Sequence, residues 1–215
     1  MLKLSITSKL DGIRSWSLQA LDTCSGSINV YTGELVDACK GCYATTNHYL
    51  YPNVKAPREH NREDWKRDSW VDDMVQALDS DRYFRWFDSG DMYSLGLAEK
   101  ILSVMEKTPW VKHWLPTRMV KFEKFKGIVS KMQQLPNVMV RFSSDSVTGE
   151  YTSDHGSVIV PEPSQAKGFL CRAYEHEGRC NGCRACYDKA VPLVSYPAHG
   201  KKMAKVIKIL SIKGA

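Results

Sequence analysis

The 215-residue chain has no long apolar run, no apolar amino-terminal stretch ending in a small-residue cleavage site, and no Pro/Gly/Ser-rich linker or low-complexity segment. The first absence excludes a membrane-spanning helix, which needs about 20 consecutive apolar residues. The second argues against a secretory leader, because the chain opens M-L-K-L-S-I-T. The third leaves nothing to divide the chain, and with no internal repeat a single domain over residues 1–215 is expected. Helix-turn-helix, zinc-finger and RNA-recognition signatures are also missing. The expectation is a soluble, cytoplasmic protein without a membrane partner, in a compartment where thiols stay reduced.

Cysteine is what the chain has in an unusual arrangement. Cys171, Cys180, Cys183 and Cys186 fall in the run C-R-A-Y-E-H-E-G-R-C-N-G-C-R-A-C. C-x2-C-x2-C puts three thiolates on one short loop, which Cys171 completes from an adjacent strand. Iron–sulfur clusters favour this dense spacing, whereas tetrahedral zinc usually takes two separated pairs, so a [4Fe–4S] cluster is the first reading and zinc the second. Disulfides are the weaker account. Seven cysteines cannot all pair, and a chain with 43% hydrophobic residues buries a core without covalent staples. Few apolar side chains in the loop are available to hold it, so loss of its metal is expected to cost solubility.

Cys24, Cys39 and Cys42 make a second constellation, a lone cysteine followed across a long loop by C-K-G-C. Three thiolates would leave one iron of a cubane open to a substrate or to the amino and carboxylate groups of a methionine-like cofactor. The plainer alternative makes Cys24 a small buried hydrophobe and lets Cys39 and Cys42 serve the same centre as the C-terminal loop.

Hydrophobic spacing predicts strands over 15–21, 82–87, 112–116, 137–143, 157–160 and 168–172, and an alternating segment over 203–212. It predicts helices over 42–50, 68–79, 93–107 and 121–134, with Trp70, Met74, Leu78, Leu97, Ile101, Val104, Met105, Phe122, Phe125, Val129 and Met132 on apolar faces. Tyr51 to Arg67, polar and Pro-containing, reads as irregular. Alternating strands and helices imply an α/β fold with a largely parallel sheet, whose functional groups collect at the carboxyl ends of the strands.

W-S-L-Q-A-L-D-T-C, C-K-G-C-Y-A, R-F-S-S-D-S and C-N-G-C-R-A-C-Y, in this order over about residues 7 to 200, resemble the phage-encoded gene-product-eighty-eight domain family. More broadly, the cysteine loop and S-G-D resemble radical S-adenosylmethionine (SAM) proteins. The resemblance implies a partial (β/α) barrel with a C-terminal cysteine-rich cluster loop, an iron–sulfur cofactor, SAM as a further cofactor, and a host-cell cytoplasmic setting. It also implies that Ser89, Gly90 and Asp91 stand where that superfamily's glycine-rich motif meets the methionyl amino group. The chain departs from that superfamily's C-x3-C-x2-C: the interval from Cys24 to Cys39 is far longer, and Gly41 replaces the aromatic residue before the last cysteine.

Asp88 and Asp91 fit either a carboxylate facing a ligand amine or ordinary turn chemistry. Ser143, Ser144, Asp145 and Ser146 fit a polar cofactor pocket or a strand-to-helix turn. Arg118 and Arg141 fit anion recognition, with a salt bridge as the plainer role. His113, His155, His176 and His199 are dispersed and are assigned to no metal. The net charge of +6 includes basic groups at Arg58/Arg62/Lys66/Arg67, Lys121/Lys124/Lys126/Lys131 and Lys201/Lys202/Lys205/Lys208. With Tyr49, Tyr51, Trp65 and Trp70 these suit either nucleic-acid contact or a solvated surface and core. Two function classes follow. The favoured one is a cluster-binding protein, structural or redox-sensing, that contacts nucleic acid or a host protein. The other is a radical SAM-type enzyme with a three-cysteine cluster plus an auxiliary one.

Overall fold

The computed structural model describes residues 1–151, 153 and 155–213. One eight-stranded sheet organises them, in the order β1-β2-β3-β4-β5-β6-β8-β7. Strand β1 (Ser5–Thr7) returns antiparallel to β2 (Ile13–Trp16) through a turn in which Asp11 and Gly12 both take positive φ. From β2 onward every pairing is parallel: β3 (Tyr83–Trp86), β4 (Lys112–Thr117), β5 (Val138–Ser143), β6 (Gly156–Val160), then β8 (Leu193–Pro197) beside β7 (Phe169–Leu170). The expected α/β class and largely parallel sheet are present. Among the described strands no pairing joins the β1 edge to the β7 edge, so the sheet is open.

Helices α3 (Trp70–Ala77), α4 (Leu95–Lys107) and α5 (Glu123–Gln134) cover one face of the sheet. Their apolar stripes explain why: Trp70 and Met74, Leu97, Ile101 and Met105, and Phe125, Val129 and Met132 are buried in one cluster with Trp16, Phe84, Trp86, Leu115 and Val140. Ser94 starts α4 by accepting a hydrogen bond from the Leu97 amide at 3.2 Å. The Trp16 ring meets Trp70 and Trp86 edge-on, with centroids 5.4 and 6.3 Å apart.

Three segments differ from the sequence expectation. Tyr51 to Arg67 is not irregular but contains the 13-residue helix α2, after the short α1 (Asp37–Lys40). Helix α2 (Pro52–Asp64) carries Pro52 in its first turn, where the missing N–H costs nothing, and tolerates Pro57 inside. Its buried positions are Arg58, Asn61 and Asp64, so apolar periodicity could not reveal it. The segment 203–212 is not a strand but most of α6 (Lys201–Lys213), whose Met203, Val206, Ile207 and Leu210 pack with Ala38, Val147, Ile159 and Ala198. Residues 43–50 form two short 3-10 turns rather than an α-helix. Strands β1 and β8 were not anticipated.

Candidate metal centre

The carboxyl ends of β2, β3, β4, β5 and β7 release, in turn, the loop to Cys24, Asp88–Asp91, Arg118, Ser144–Asp145 and Cys171. Within this edge the S-G-D turn is an internal joint. Gly90, at φ +81°, lies so close to the Cys24 loop that a Cβ there would stand 2.6 Å from the Leu18 Cβ and 2.8 Å from the Thr23 hydroxyl. Ser89 donates to the Leu18 carbonyl at 2.7 Å and accepts from the Arg58 Nε at 2.6 Å. Asp91 Oδ1 accepts from the Met92 amide and the Thr117 hydroxyl, and Oδ2 from the Arg118 amide, all at 2.8–2.9 Å. Burial pushes the Asp91 carboxyl up against the pull of these donors. Asp88 is ion-paired with Arg58 at 2.9 Å; burial raises its pKa, but the guanidiniums of Arg58 and Arg85 outweigh it and hold the carboxyl below its usual range.

Above this joint Cys24, Cys39 and Cys42 lie within electrostatic reach of one another. Burial pushes the Cys24 thiol up to about 12, reinforced by the Asp91 charge. Burial also raises Cys39, opposed by the nearby cations Arg118 and Lys121. Those cations are fixed. Arg118 donates to the Ser144 carbonyl at 2.8 Å and faces Asp145 at 3.3 Å, and Lys121 donates to the Gly26 carbonyl and pairs with Asp145. A Cβ at Gly26 would meet the Arg118 Cβ at 2.6 Å, so the Cys24 loop sits directly on that arginine. Ser143, half-buried, ends β5 next to Ser157 of β6.

The four C-terminal cysteines gather on the sheet face opposite the helices. Cys171 follows β7, its amide donating to the Ser195 carbonyl, and Cys180 is within electrostatic range of Cys171, Cys183 and Cys186. Cys180 and Cys186 both pack against the cluster of Leu10, Trp114 and Tyr187. Polar clamps hold the loop between them. The Cys180 amide donates to the Lys9 carbonyl at 2.7 Å, and the amides of Asn181 and Gly182 and the Arg184 guanidinium all converge on Asp11. From beneath, fully buried Arg141 donates to the carbonyls of Cys186, Ala185 and Asp188 at 3.0, 2.6 and 3.0 Å. The loop therefore has anchors that its lack of apolar residues had hidden. The Tyr196 hydroxyl lies 3.0 Å from the Cys186 Sγ.

A protein-family model described as gene product 88 matches residues 3–193. The chain belongs to the gene product 88 family. This is a phage family, as the sequence resemblance implied. No curated protein and no solved structure matches.

In this gene product 88 chain all seven cysteines are free thiols. Among the described residues no three Cys, His, Asp or Glu side chains stand in coordination geometry. A metal held by these cysteines would bind them as thiolates and displace their protons. The donor set itself, soft sulfur beside fixed cations and amides, suits a thiolate-ligated cluster.

The remaining candidates are spread through the fold. His113 is buried in the helix-side core; His199 lies between Tyr43 and Tyr174, with ring centroids 6.3 and 4.4 Å away. Trp70 is core, and Trp65 packs edge-on against Tyr93. Of the basic groups, Arg58 is buried, Arg67 pairs with Asp64 and Asp73, Lys66 with Glu63, and Lys126 with Glu123. Lys201, Lys202, Lys205 and Lys208 on α6 are exposed. No helix among the described residues is long and apolar enough to cross a membrane. Sequence reasoning gave no role to Asp11, Arg85, Trp114, Tyr187 and Tyr196. The roles of Arg85, Trp114 and Tyr196 depend on which face of a strand they occupy, and those of Asp11 and Tyr187 on turns that meet only in the fold.

Proposed function

We propose that this gene product 88 protein binds an iron–sulfur cluster through Cys171, Cys180, Cys183 and Cys186, with the cluster serving a structural or redox-sensing role. The observation that carries this reading is the placement of the four cysteines on one side of the sheet, one at the end of β7 and three on a loop clamped by Asp11 and Arg141, with Cys180 and Cys186 packed on one cluster. Four soft ligands with polar clamps around them need a purpose, and a [4Fe–4S] cluster gives them one. The exposed lysines of α6 are the surface for an anionic partner, nucleic acid or host protein, in this reading.

The second reading, a radical SAM-type enzyme on a partial barrel, draws on Cys24, Cys39 and Cys42 beside Arg118 and Lys121. Those cations would steady a negatively charged three-thiolate cluster and leave one iron for SAM. Against it, Ser89 and Asp91 spend their side chains inside the fold, so neither is free to meet an amino group. We favour the non-catalytic reading for that reason. Anaerobic purification followed by iron and acid-labile sulfide analysis tests it. The expected result is brown protein with about four iron and four sulfide per chain, lost on Cys183→Ser while the fold survives on its clamps. Stoichiometric zinc without sulfide would overturn it. Two clusters per chain, with SAM altering the electron paramagnetic resonance spectrum of the reduced protein, would favour the enzyme.

A further inference from the structure

Three buried polar groups meet on the cysteine side of the sheet with nothing to bond to. They are the Arg85 Nε, the Trp114 Nε1 and the Tyr187 hydroxyl. The Arg85 guanidinium lies over the Trp114 ring, 4.7 Å from its centroid, and the Trp114 and Tyr187 rings meet edge-on at 5.7 Å. Trp114 and Tyr187 are each more than nine-tenths buried. A stranded buried donor is costly, so three in one place are unlike the fold's careful satisfaction of Asp91 and Arg141. A single orphaned indole would say little, since Trp16 and Trp70 have one each in the helix-side core. Here three different donor types converge, and of the three only the phenol can also accept.

What they surround identifies the missing acceptor. Cys180 and Cys186 pack against the same Trp114–Tyr187 cluster. Arg85 is within electrostatic reach of Cys186, and Tyr187 of both cysteines. On the fourth side the Tyr196 hydroxyl already touches the Cys186 sulfur. We infer that Arg85, Trp114, Tyr187 and Tyr196 form a hydrogen-bond shell for the sulfur atoms of the bound cluster, one that makes the cluster easier to reduce. The inference rests on the four-cysteine reading above. Its physical basis is that a sulfur-ligated cluster gains negative charge on reduction, and donors aimed at its sulfurs stabilise that charge and raise the potential. The guanidinium adds positive charge to the same effect, shared with the Asp88 carboxylate.

The test is a redox titration of the anaerobic full-length holoprotein with dithionite and mediators, in which each reduced mediator molecule gives up one electron and each cluster gains one. Tyr187→Phe removes a single oxygen and Trp114→Phe removes the indole N–H. Both are expected to shift the midpoint to more negative potential with iron and sulfide content unchanged. Trp70→Phe, which removes an equally orphaned indole N–H on the opposite face, is expected to leave the midpoint where it is. In deuterated buffer, pulsed paramagnetic resonance of the reduced wild type should show an exchangeable deuteron coupled to the cluster that weakens in Tyr187→Phe. If Trp114→Phe fails to retain the cluster, Tyr187→Phe decides alone. A full cluster whose midpoint is unmoved in Tyr187→Phe overturns this inference only; a wild type without iron and sulfide overturns the four-cysteine reading and this inference together.

Discussion

The two faces of the sheet are built on opposite principles. On the helix side, Trp16, Phe84, Trp86, Leu115 and Val140 meet the stripes of α3, α4 and α5 in a dry core of interlocking rings and aliphatic chains. On the cysteine side, Arg85, Trp114, Arg141 and Tyr196 face a loop held by backbone carbonyls, amides and one carboxylate. The first face stores stability as apolar burial, at roughly 25 cal/mol per Å² removed from water, and tolerates small losses in proportion. The second stores it in a few directional contacts, each of which is costly to break once buried. The contrast teaches where chemistry can be placed. A face that need not be greasy can hold thiols, cations and donors without competing with the core.

Breaking that contrast most sharply means removing Arg141. Arg141→Met keeps an unbranched side chain but strands the carbonyls of Cys186, Ala185 and Asp188. Relief from burying a charge offsets part of the loss, leaving an expected cost of about 2–4 kcal/mol. Urea denaturation of the cluster-free protein measures it. An Ile101→Val change on the helix side should cost about 1 kcal/mol. If the arginine variant costs no more than the isoleucine one, the cysteine face is not held as described.

The same division explains what the sequence disclosed. Trp70, Met74, Ile101, Val129 and Met132 are buried where helical spacing put them, because a dry face imposes a period that survives into composition. Helix α2 escaped notice because its inner face is the polar Arg58, Asn61 and Asp64, and the burial of Arg58 and Asn61 follows from partners distant in sequence: Asp88, Ser89, and the carbonyls of Lys3 and Ser17. In α6, Val206, Ile207 and Leu210 suit a helix as well as an alternating strand, and only their contact with Ala38, Val147 and Ile159 decides. The cysteine sets were legible as spacing. Their shell was not, since nothing in Y-F-R-W tells which face of β3 Arg85 occupies.

A pH experiment sharpens the comparison from the dry side. His113 is fully buried there, its Nδ1 accepting from the Trp86 indole at 3.3 Å and its Nε2 2.9 Å from the Thr108 hydroxyl, which itself donates to the Val104 carbonyl at 2.7 Å. That chain fixes the neutral ring with its proton on Nε2, and burial drives the pKa down to about 3. Between that value and the ordinary 6.5 the unfolded chain binds the proton that the folded one refuses. Stability from this group is therefore complete above pH 6.5 and is lost as pH falls toward 3, at about 1.4 kcal/mol per unit. His199, also lowered by burial, and Asp91, raised by burial, add their own slopes. The measurement is thus the difference between wild type and His113→Asn, whose amide oxygen can take the indole hydrogen bond. Unfolding free energies at pH 5 and pH 7 should diverge less in the variant; equal divergence would show that His113 does not carry the slope.

The smallest effect is expected at Asp11, and its smallness is the point. This carboxylate is solvated, held below its usual range by the Arg184 guanidinium and the amides of Gly182 and Asn181, and it grips a turn in which Asn181 and Gly182 both take positive φ. A left-handed pair directs its amides to one side, where an anion can accept both. Asp11→Asn keeps an oxygen but gives up the charge, so the amides of Asn181 and Gly182 should exchange with deuterium faster in the cluster-free protein. Amides of α4 and β4 should be unaffected, because nothing in the dry core touches Asp11. The global unfolding midpoint should hardly move. Faster exchange throughout the sheet would mean that the two faces unfold as one unit, and that the clamp supports the whole fold rather than the cysteine loop alone.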